Sequence, residues 1–327
     1  MTLDEPLQRQ AESIALGDTT QRRRMLVVVN PYASTVSARM RNLVVSTLAR
    51  RYEVVAIDTQ SPSHATKLVH DAADEGYDVV VSFGGDGTVN EVANGLAGTQ
   101  TPMTCLPGGA TNVLCKMLGI PGDIVDATQH LLRLADDWHP RQIDLGTANG
   151  RLFTYASGFG LDASVAKRID KNLRLKASRG RELYFVYCAV QTVLREYVVN
   201  APRMDVQVGG ETVRAITALV QNGDPFTYLD DKPIRVAEGA QLDSGTLAGV
   251  ALRRARPHDV PTVMLRLLSS RRSIAGHRAV HHFADVRELR CQSSDGRPIP
   301  LHVDGDHVGD VTDAVFGIRP AALSVIA

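Results

Sequence analysis

Gly84-Gly85-Asp86-Gly87-Thr88 follows the apolar run Tyr77-Asp78-Val79-Val80-Val81-Ser82-Phe83 and precedes Val89-Asn90-Glu91-Val92-Ala93-Asn94-Gly95-Leu96. That order reads as a strand, a turn able to hold phosphate and a helix start. Glycine permits positive φ and lets backbone N–H groups approach an anion with no Cβ in the way. A helix beginning near Thr88 aims the positive end of its dipole at the same point. Asp86 is the odd member, because a carboxylate beside phosphates repels them unless a divalent cation lies between. Its presence argues for a Mg²⁺–nucleotide rather than a bare anion. The same five residues also read as an ordinary strand-to-helix turn with Asp86 or Thr88 as N-cap. No Gly-x-x-x-x-Gly-Lys-Ser/Thr occurs in the chain, so the turn is not of the Walker type.

Two more segments carry chemistry. Met103-Thr104-Cys105-Leu106 leads into Pro107-Gly108-Gly109-Ala110-Thr111-Asn112 and a helical Val113 to Leu118, a second strand-turn-helix unit that can grip a polyphosphate from the other side. Near the C-terminus, Leu301-His302-Val303-Asp304-Gly305-Asp306 offers two acids, and equally a hairpin turn, since Asp-Gly between alternating residues is a common one. His277, His281 and His282 include an i, i+4 pair. No nearby carboxylate or cysteine completes a metal set, and Arg278 would repel a cation.

Gly84 to Leu96 resembles the signature of the diacylglycerol kinase catalytic domain, the family that also includes sphingosine kinases, ceramide kinases and bacterial lipid kinases. The resemblance runs from about Arg24 to Ala327 and implies Mg²⁺–ATP as phosphoryl donor and a lipid hydroxyl as acceptor, by direct in-line transfer. It implies that the amides of Gly84, Gly85, Gly87 and Thr88 hold phosphates, that Asp86 holds the metal, that Thr59 and Asn90 line the nucleotide, and that Val89 belongs to the same nucleotide-binding set. Gly109, Thr111 and Asn112 match the family's Pro-x-Gly-Thr-x-Asn segment, with Ala110 where threonine is usual. The family closes its domain with Asp-Gly-Glu, whose last acid is held to be the general base; Asp306 matches it, one methylene shorter, and Asp304 assists the metal or orients Asp306. Ala240-Gln241-Leu242-Asp243-Ser244-Gly245-Thr246-Leu247 resembles a run that supports a structural Mg²⁺ in some members. Here serine takes the aspartate position and Asp243 is the shifted acid. Arg151 to Ala163 resembles the stretch ending Gly-Phe-Asp-Ala, which in the family lies along the interdomain cleft.

The elements that must position these residues alternate at first. Strands at Met25–Val29, Tyr52–Asp58, Asp78–Phe83 and Met103–Leu106 and helices at Arg39–Arg50, Ser63–Glu75, Val113–Leu118 and Gly122–Leu134 predict a doubly wound parallel sheet, whose ligands bind at the carboxyl ends of the strands. After Arg141–Gly146 the pattern changes. Strand-like runs at Leu152–Ser157, Met204–Val208, Thr212–Gln221, Thr246–Leu252 and Leu289–Cys291 predict an antiparallel, sandwich-like domain, interrupted by a helical insertion over Asp162–Val199. The expected organisation is a flexible lead over 1–23, an α/β ATP-binding domain over 24–145 and a β-rich lipid-substrate domain over 146–327, with the active site in the cleft between them and the C-terminal segment packing back on the first.

Composition sets outer bounds. In 327 residues, 36 basic residues balance 36 acidic ones, which gives no global field for nucleic acid. The four cysteines form no Cys-x-x-Cys pair and read as buried thiols in a reducing compartment. No apolar stretch approaches the ~20 residues needed to span a bilayer. The expected setting is therefore cytoplasmic, peripheral at the inner membrane face, with a lipid partner at the membrane surface and room for a homodimer. The basic run Lys167, Arg168, Lys171, Arg174, Lys176, Arg179 and Arg181 reads as a solvated helix face or as a contact for anionic lipid. Two other readings stand beside lipid kinase: an NAD kinase, which shares a Gly-Gly-Asp-Gly turn, and a nucleotide- or lipid-binding regulator that has lost catalysis.

Overall fold

The computed structural model describes residues 22–170, 192, 197, 201–229, 232–267, 269 and 273–327. The lead up to residue 21, Cys188 and most of the expected helical insertion, with its basic run beyond Asp170, lie outside the described residues.

In the N-terminal α/β domain, β1 (Arg24–Val29), α1 (Ala38–Leu48), β2 (Glu53–Asp58), α2 (His64–Asp74), β3 (Val79–Gly84), α3 (Asp86–Leu96), β4 (Met103–Pro107), α4 (Val113–Met117) and α5 (Ile124–Leu134) follow in turn. The strands run parallel in the order β2-β1-β3-β4. Val27, Val28, Val29, Val80 and Val81 are fully buried, as expected where helices cover both faces of a parallel sheet. The helices start on local signals: Ser37 Oγ accepts the Met40 N–H for α1, and Asp123 Oδ1 accepts the Val125 and Asp126 N–H groups for α5. Helix α2 has no such cap of its own. Glu91 on α3 supplies it, accepting the N–H groups of Ser63 at 2.8 Å and Ala65 at 3.2 Å. The two helices cross closely because Gly95 has no side chain; a Cβ there would stand 2.6 Å from the Thr66 carbonyl oxygen.

The β-rich domain begins with β5 (Arg141–Ala148), β6 (Arg151–Phe153) and β7 (Ala156–Phe159), followed by α6 (Leu161–Asp170). It continues with β8 (Met204–Val208), β9 (Glu211–Ala215), β10 (Thr217–Gln221), the small hairpin β11 (Thr227–Leu229) and β12 (Lys232–Ile234), and β13 (Leu247–Leu252). Helix α7 (Asp259–Leu267) precedes β14 (Val280–Val286), β15 (Glu288–Ser293), β16 (Ile299–Val303), β17 (Asp306–Val311) and β18 (Asp313–Val325). One sheet takes the order β14-β13-β10-β7-β16-β17. It packs on the antiparallel part of the other sheet through Phe153, Phe159, Phe283, Phe316, Leu301 and Val303.

Strand β18 unites the molecule. Its first residues pair antiparallel with β15, its length pairs with β5, and Val325 lies beside Met103 of the parallel strand β4. The parallel sheet of the first domain and the antiparallel strands of the second are thus one continuous sheet, β2-β1-β3-β4-β18-β15-β8-β9. Leu323, Val325 and Ile326 are buried in the same core as the valines of β1 and β3.

Two expected strands break in the middle. The run Leu152–Ser157 divides into β6 in one sheet and β7 in the other, and Thr212–Gln221 divides likewise into β9 and β10. Alternation in sequence reports which face a residue occupies and is blind to a change of sheet. Replacing Leu323 by alanine leaves a cavity where β18 meets the first domain and is expected to cost about 2–5 kcal/mol, read as a lower denaturant midpoint in equilibrium unfolding.

Candidate active site

The two glycine turns touch. Strands β3 and β4 end side by side, Gly84 opposite Pro107, and the Gly108 N–H donates to the Gly84 carbonyl at 2.9 Å. A Cβ on Gly108 would lie 2.8 Å from the Gly84 Cα, and one on Gly109 would lie 2.6 Å from the Gly85 Cα. Gly85, the N-cap of α3, is extended at φ −91°, and neither Gly84 nor Gly87 has positive φ. The glycines are therefore required for close approach of two backbones and not for left-handed φ, which corrects half of the reason expected from sequence. The helix starts at Asp86, two residues before Thr88, with neither Asp86 nor Thr88 as its cap. Its first-turn N–H groups, Gly87 and Thr88 among them, have no partner within the helix. The Val89 N–H is already bonded to the Gly85 carbonyl at 3.1 Å.

Asn30 completes the rim. It ends β1 next to β3, and its Nδ2 donates to Thr88 Oγ1 at 3.0 Å while its Oδ1 accepts the Tyr32 N–H at 3.0 Å. Strand order reverses between β1 and β3, so the crevice at their carboxyl ends is where an open α/β sheet binds ligands. Asn30 was not singled out from sequence. Its position after the first buried strand, before a proline, is the signal that could have found it. Thr59 stands at the same edge beyond β2, with its N–H on the Val29 carbonyl at 2.8 Å.

Asp86 faces away from its own helix and caps the next one. Its Oδ1 accepts the Val113 N–H at 2.6 Å at the start of α4. Burial pushes its carboxyl up to about 7, with the charges of Asp304 and Asp306 adding and the N–H groups of Val113 and Asn112 opposing. Asn112, left-handed at φ +49°, closes the second turn on itself: Oδ1 accepts the Gly109 N–H and Nδ2 donates to the Gly109 carbonyl, both at 2.9 Å. Thr111 remains half-exposed beside it. Beneath the turn, the hydrogen bond with Cys105, together with burial, holds the Cys115 thiol well above its ordinary pKa.

Asp304 is only 3% exposed, and both of its oxygens are used. Oδ2 accepts Asn90 Nδ2 at 2.8 Å, the Thr154 N–H at 2.7 Å and Thr154 Oγ1 at 2.9 Å; Oδ1 accepts the N–H groups of Tyr155 at 3.0 Å and Ala156 at 3.1 Å. The Tyr155 hydroxyl donates to the Asp304 carbonyl at 2.9 Å. Burial raises the Asp304 carboxyl, and the N–H groups of Thr154, Tyr155 and Ala156 with the Asn90 amide offset part of that rise. The geometry makes Asp304 a joint between elements rather than a carboxylate aimed at a metal. Asn90 belongs to that joint, since its amide also donates to the Leu152 carbonyl at 3.1 Å.

The Asp304–Gly305 turn carries Asp306 to the cradle. A Cβ on Gly87 would lie 2.9 Å from Asp306 Oδ2, so the acid stands directly against the N-terminus of α3. Among the described residues no group of three or more His, Cys, Asp or Glu side chains is placed to hold a metal ion by itself. Asp243 is exposed and 4.0 Å from Arg141, while Asp144 supports that region by accepting the N–H groups of Gly245 at 2.6 Å and Ala321 at 2.8 Å. His281 and His282 lie on strand β14 and His277 bonds Thr262 Oγ1 through Nε2, so the helical spacing assumed for a histidine pair does not exist.

Residues 24–148 match the family model of the diacylglycerol kinase catalytic domain. A Pseudomonas syringae pv. tomato protein named "Probable lipid kinase YegS-like" is 30% identical over 47% of this chain, and the matched part spans about half, 49%, of that relative. The diacylglycerol kinase of Staphylococcus saprophyticus is 22% identical over 91% of this chain and 93% of its own. Among solved structures, a diacylglycerol kinase from Bacillus anthracis str. Sterne superposes with a TM-score of 0.68 at 18% identity, covering 94% of this chain and 98% of the other, which shows the shared fold.

Two outcomes follow from this geometry. Asp304→Ala strands five donors and is expected to lower unfolding free energy by at least about 3 kcal/mol, measured by denaturant titration. Gly109→Ala drives a Cβ into the Gly85 backbone and should abolish nucleotide binding in calorimetry while the far β-domain keeps its amide-exchange protection.

Proposed function

We propose that this chain, whose residues 24–148 match the diacylglycerol kinase catalytic-domain model, belongs to that family and transfers the terminal phosphoryl group of ATP to the hydroxyl of a lipid. The observation that carries the reading is Asp306 Oδ2 against Gly87, a carboxylate held at the mouth of a glycine-walled helix N-terminus. Such a site combines what phosphoryl transfer asks of a protein: positioned donors for phosphate and a group to take the proton of the attacking hydroxyl.

The residues divide into roles. Amides of Gly85, Gly87 and Thr88 hold phosphate oxygens, with Thr88 oriented by Asn30 and Gly109 giving the second turn its close approach to Gly85. Asp306 accepts the hydroxyl proton. Asp86 would hold a Mg²⁺ ion: burial is what chiefly raises its carboxyl, and the charges of Asp304 and Asp306 add to the negative field around it. Magnesium is usually bound by one or two carboxylates together with substrate phosphates. When bound, the ion supplies neutralisation of phosphate charge. Asp304, already saturated with donors, orients Asp306 instead. Thr59 and Thr111, at the carboxyl edge of the sheet, line the nucleotide.

The acceptor enters from the β-rich half, taken as residues 146–327. A diacylglycerol, a related glycerolipid or a sphingoid base meets the requirement of one reactive hydroxyl on an apolar body, and apolar surfaces discriminate weakly per methylene. Among the described residues no helix is long and apolar enough to cross a membrane. We place the acceptor at the surface of a bilayer, since a lipid hydroxyl is presented there, and the enzyme at the cytoplasmic face.

The test is transfer from γ-labelled Mg–ATP to a panel of lipids in mixed micelles. Label in a chloroform-soluble product supports the reading; label only in a soluble dinucleotide, or nucleotide binding without turnover, overturns it. Asp306→Asn should lower kcat by about 10²–10⁴-fold, the usual worth of a general base, with little change in nucleotide KM. Asp86→Ala should raise the Mg²⁺ concentration needed for half-maximal rate and leave cooperative unfolding intact.

A further inference from the structure

The turn that carries Asp306 is a tight left-handed one with a buried histidine beneath it. Asp304 at φ +47° and Gly305 at φ +84° are consecutive left-handed residues linking the paired residues Val303 and Asp306. This is the two-residue hairpin connection of the primed type. Its Gly305 N–H is received by Nδ1 of His302 at 3.2 Å. The His302 ring is 2% exposed, and its other nitrogen, Nε2, lies 2.5 Å from Asp162 Oδ2.

These contacts assign the tautomer. Nδ1 must present its lone pair to the Gly305 N–H, so the ring proton is on Nε2 and is donated to Asp162. The surroundings are built for this contact. The register between β16 and β17 shifts between Leu301 and His302, and Gly158 of β7, directly opposite His302, lacks a side chain. A Cβ there would collide with the Asp162 carboxylate. The Ser157 hydroxyl donates to the His302 carbonyl at 2.5 Å. Asp162 itself sits in the first turn of α6, where a negative charge is favourable.

We propose that His302 is a positioning residue for Asp306: its Nδ1 holds the Gly305 amide, Asp162 anchors its Nε2–H, and together they fix the aim of the Asp306 carboxylate at the Gly87 end of α3. His302 touches neither nucleotide nor acceptor. The inference rests on the reading of Asp306 as proton acceptor, and it adds Asp162 as the residue through which α6 reaches the catalytic turn.

Asparagine and glutamine separate the two ring nitrogens. The side-chain oxygen of Asn stands where Nδ1 stands and can accept, and the amide N–H of Gln reaches toward Nε2 and can donate to Asp162. His302→Asn should keep kcat within a few-fold and preserve slow exchange of the Gly305 amide. His302→Gln and His302→Ala should lower kcat about 100-fold, the scale of a misplacement near 1 Å, with unchanged nucleotide KM and fast Gly305 exchange. Asp162→Asn, which loses the charge that fixes the ring, should fall between them. Equal impairment of the Asn and Gln variants, or full turnover in His302→Ala, overturns the inference while the kinase reading stands. A wild-type protein that transfers no phosphoryl group to any lipid overturns the kinase reading and this role of His302 with it.

Discussion

A single buried carboxylate, Asp304, decides how the two halves of this molecule meet. The N–H groups of Thr154, Tyr155 and Ala156 all point to it, and these are the residues at which the chain leaves one sheet and joins the other. Three consecutive amides cannot be satisfied by a strand that is changing sheets, so an acceptor with several lone pairs must be supplied from elsewhere. Asp304 supplies it from a hairpin 150 residues later, and Asn90 ties the same oxygen to helix α3. Because Asp306 is two residues further on, the tie that closes the fold also brings that acid against Gly87 at the N-terminus of α3.

This arrangement gives the stretch Gly84 to Leu96 several separate duties. Gly84 to Thr88 form the cradle. Asn90 and Asn94 reach the joint, both donating to the Leu152 carbonyl. Glu91 caps α2 and Gly95 admits its backbone. A sequence signature that reads as one binding motif is, physically, a glycine turn followed by a helix whose polar residues hold neighbouring elements. Its length reflects packing as much as chemistry.

The parallel half was legible because buried strands, amphipathic helices and glycine turns leave local marks, and both glycine turns fall where those marks put them. The acid at Asp306 was legible only through resemblance, since Asp-Gly alone is an ordinary hairpin. What could not be read was non-local: that β6 and β7 belong to different sheets, that β18 pairs with β4, that Asn90 donates to Asp304, and that His302 lies under the Asp304–Gly305 turn. Each depends on a partner far along the chain, and hydrophobic period carries no record of such partners. The glycine requirement was anticipated both for freedom of φ and for room beside an anion; positive φ is not used, and the room serves the approach of the two turns.

Coupling between Asn90 and Asp304 bears on the whole account, because their contact links the helix of the cradle to the hairpin of the acid. In a double-mutant cycle of Asn90→Ala and Asp304→Asn, followed by denaturant unfolding, the predicted interaction energy exceeds about 1 kcal/mol, in the range found for residues sharing one buried network. Additivity of the two changes within about 0.5 kcal/mol, the behaviour of independent sites, would contradict it.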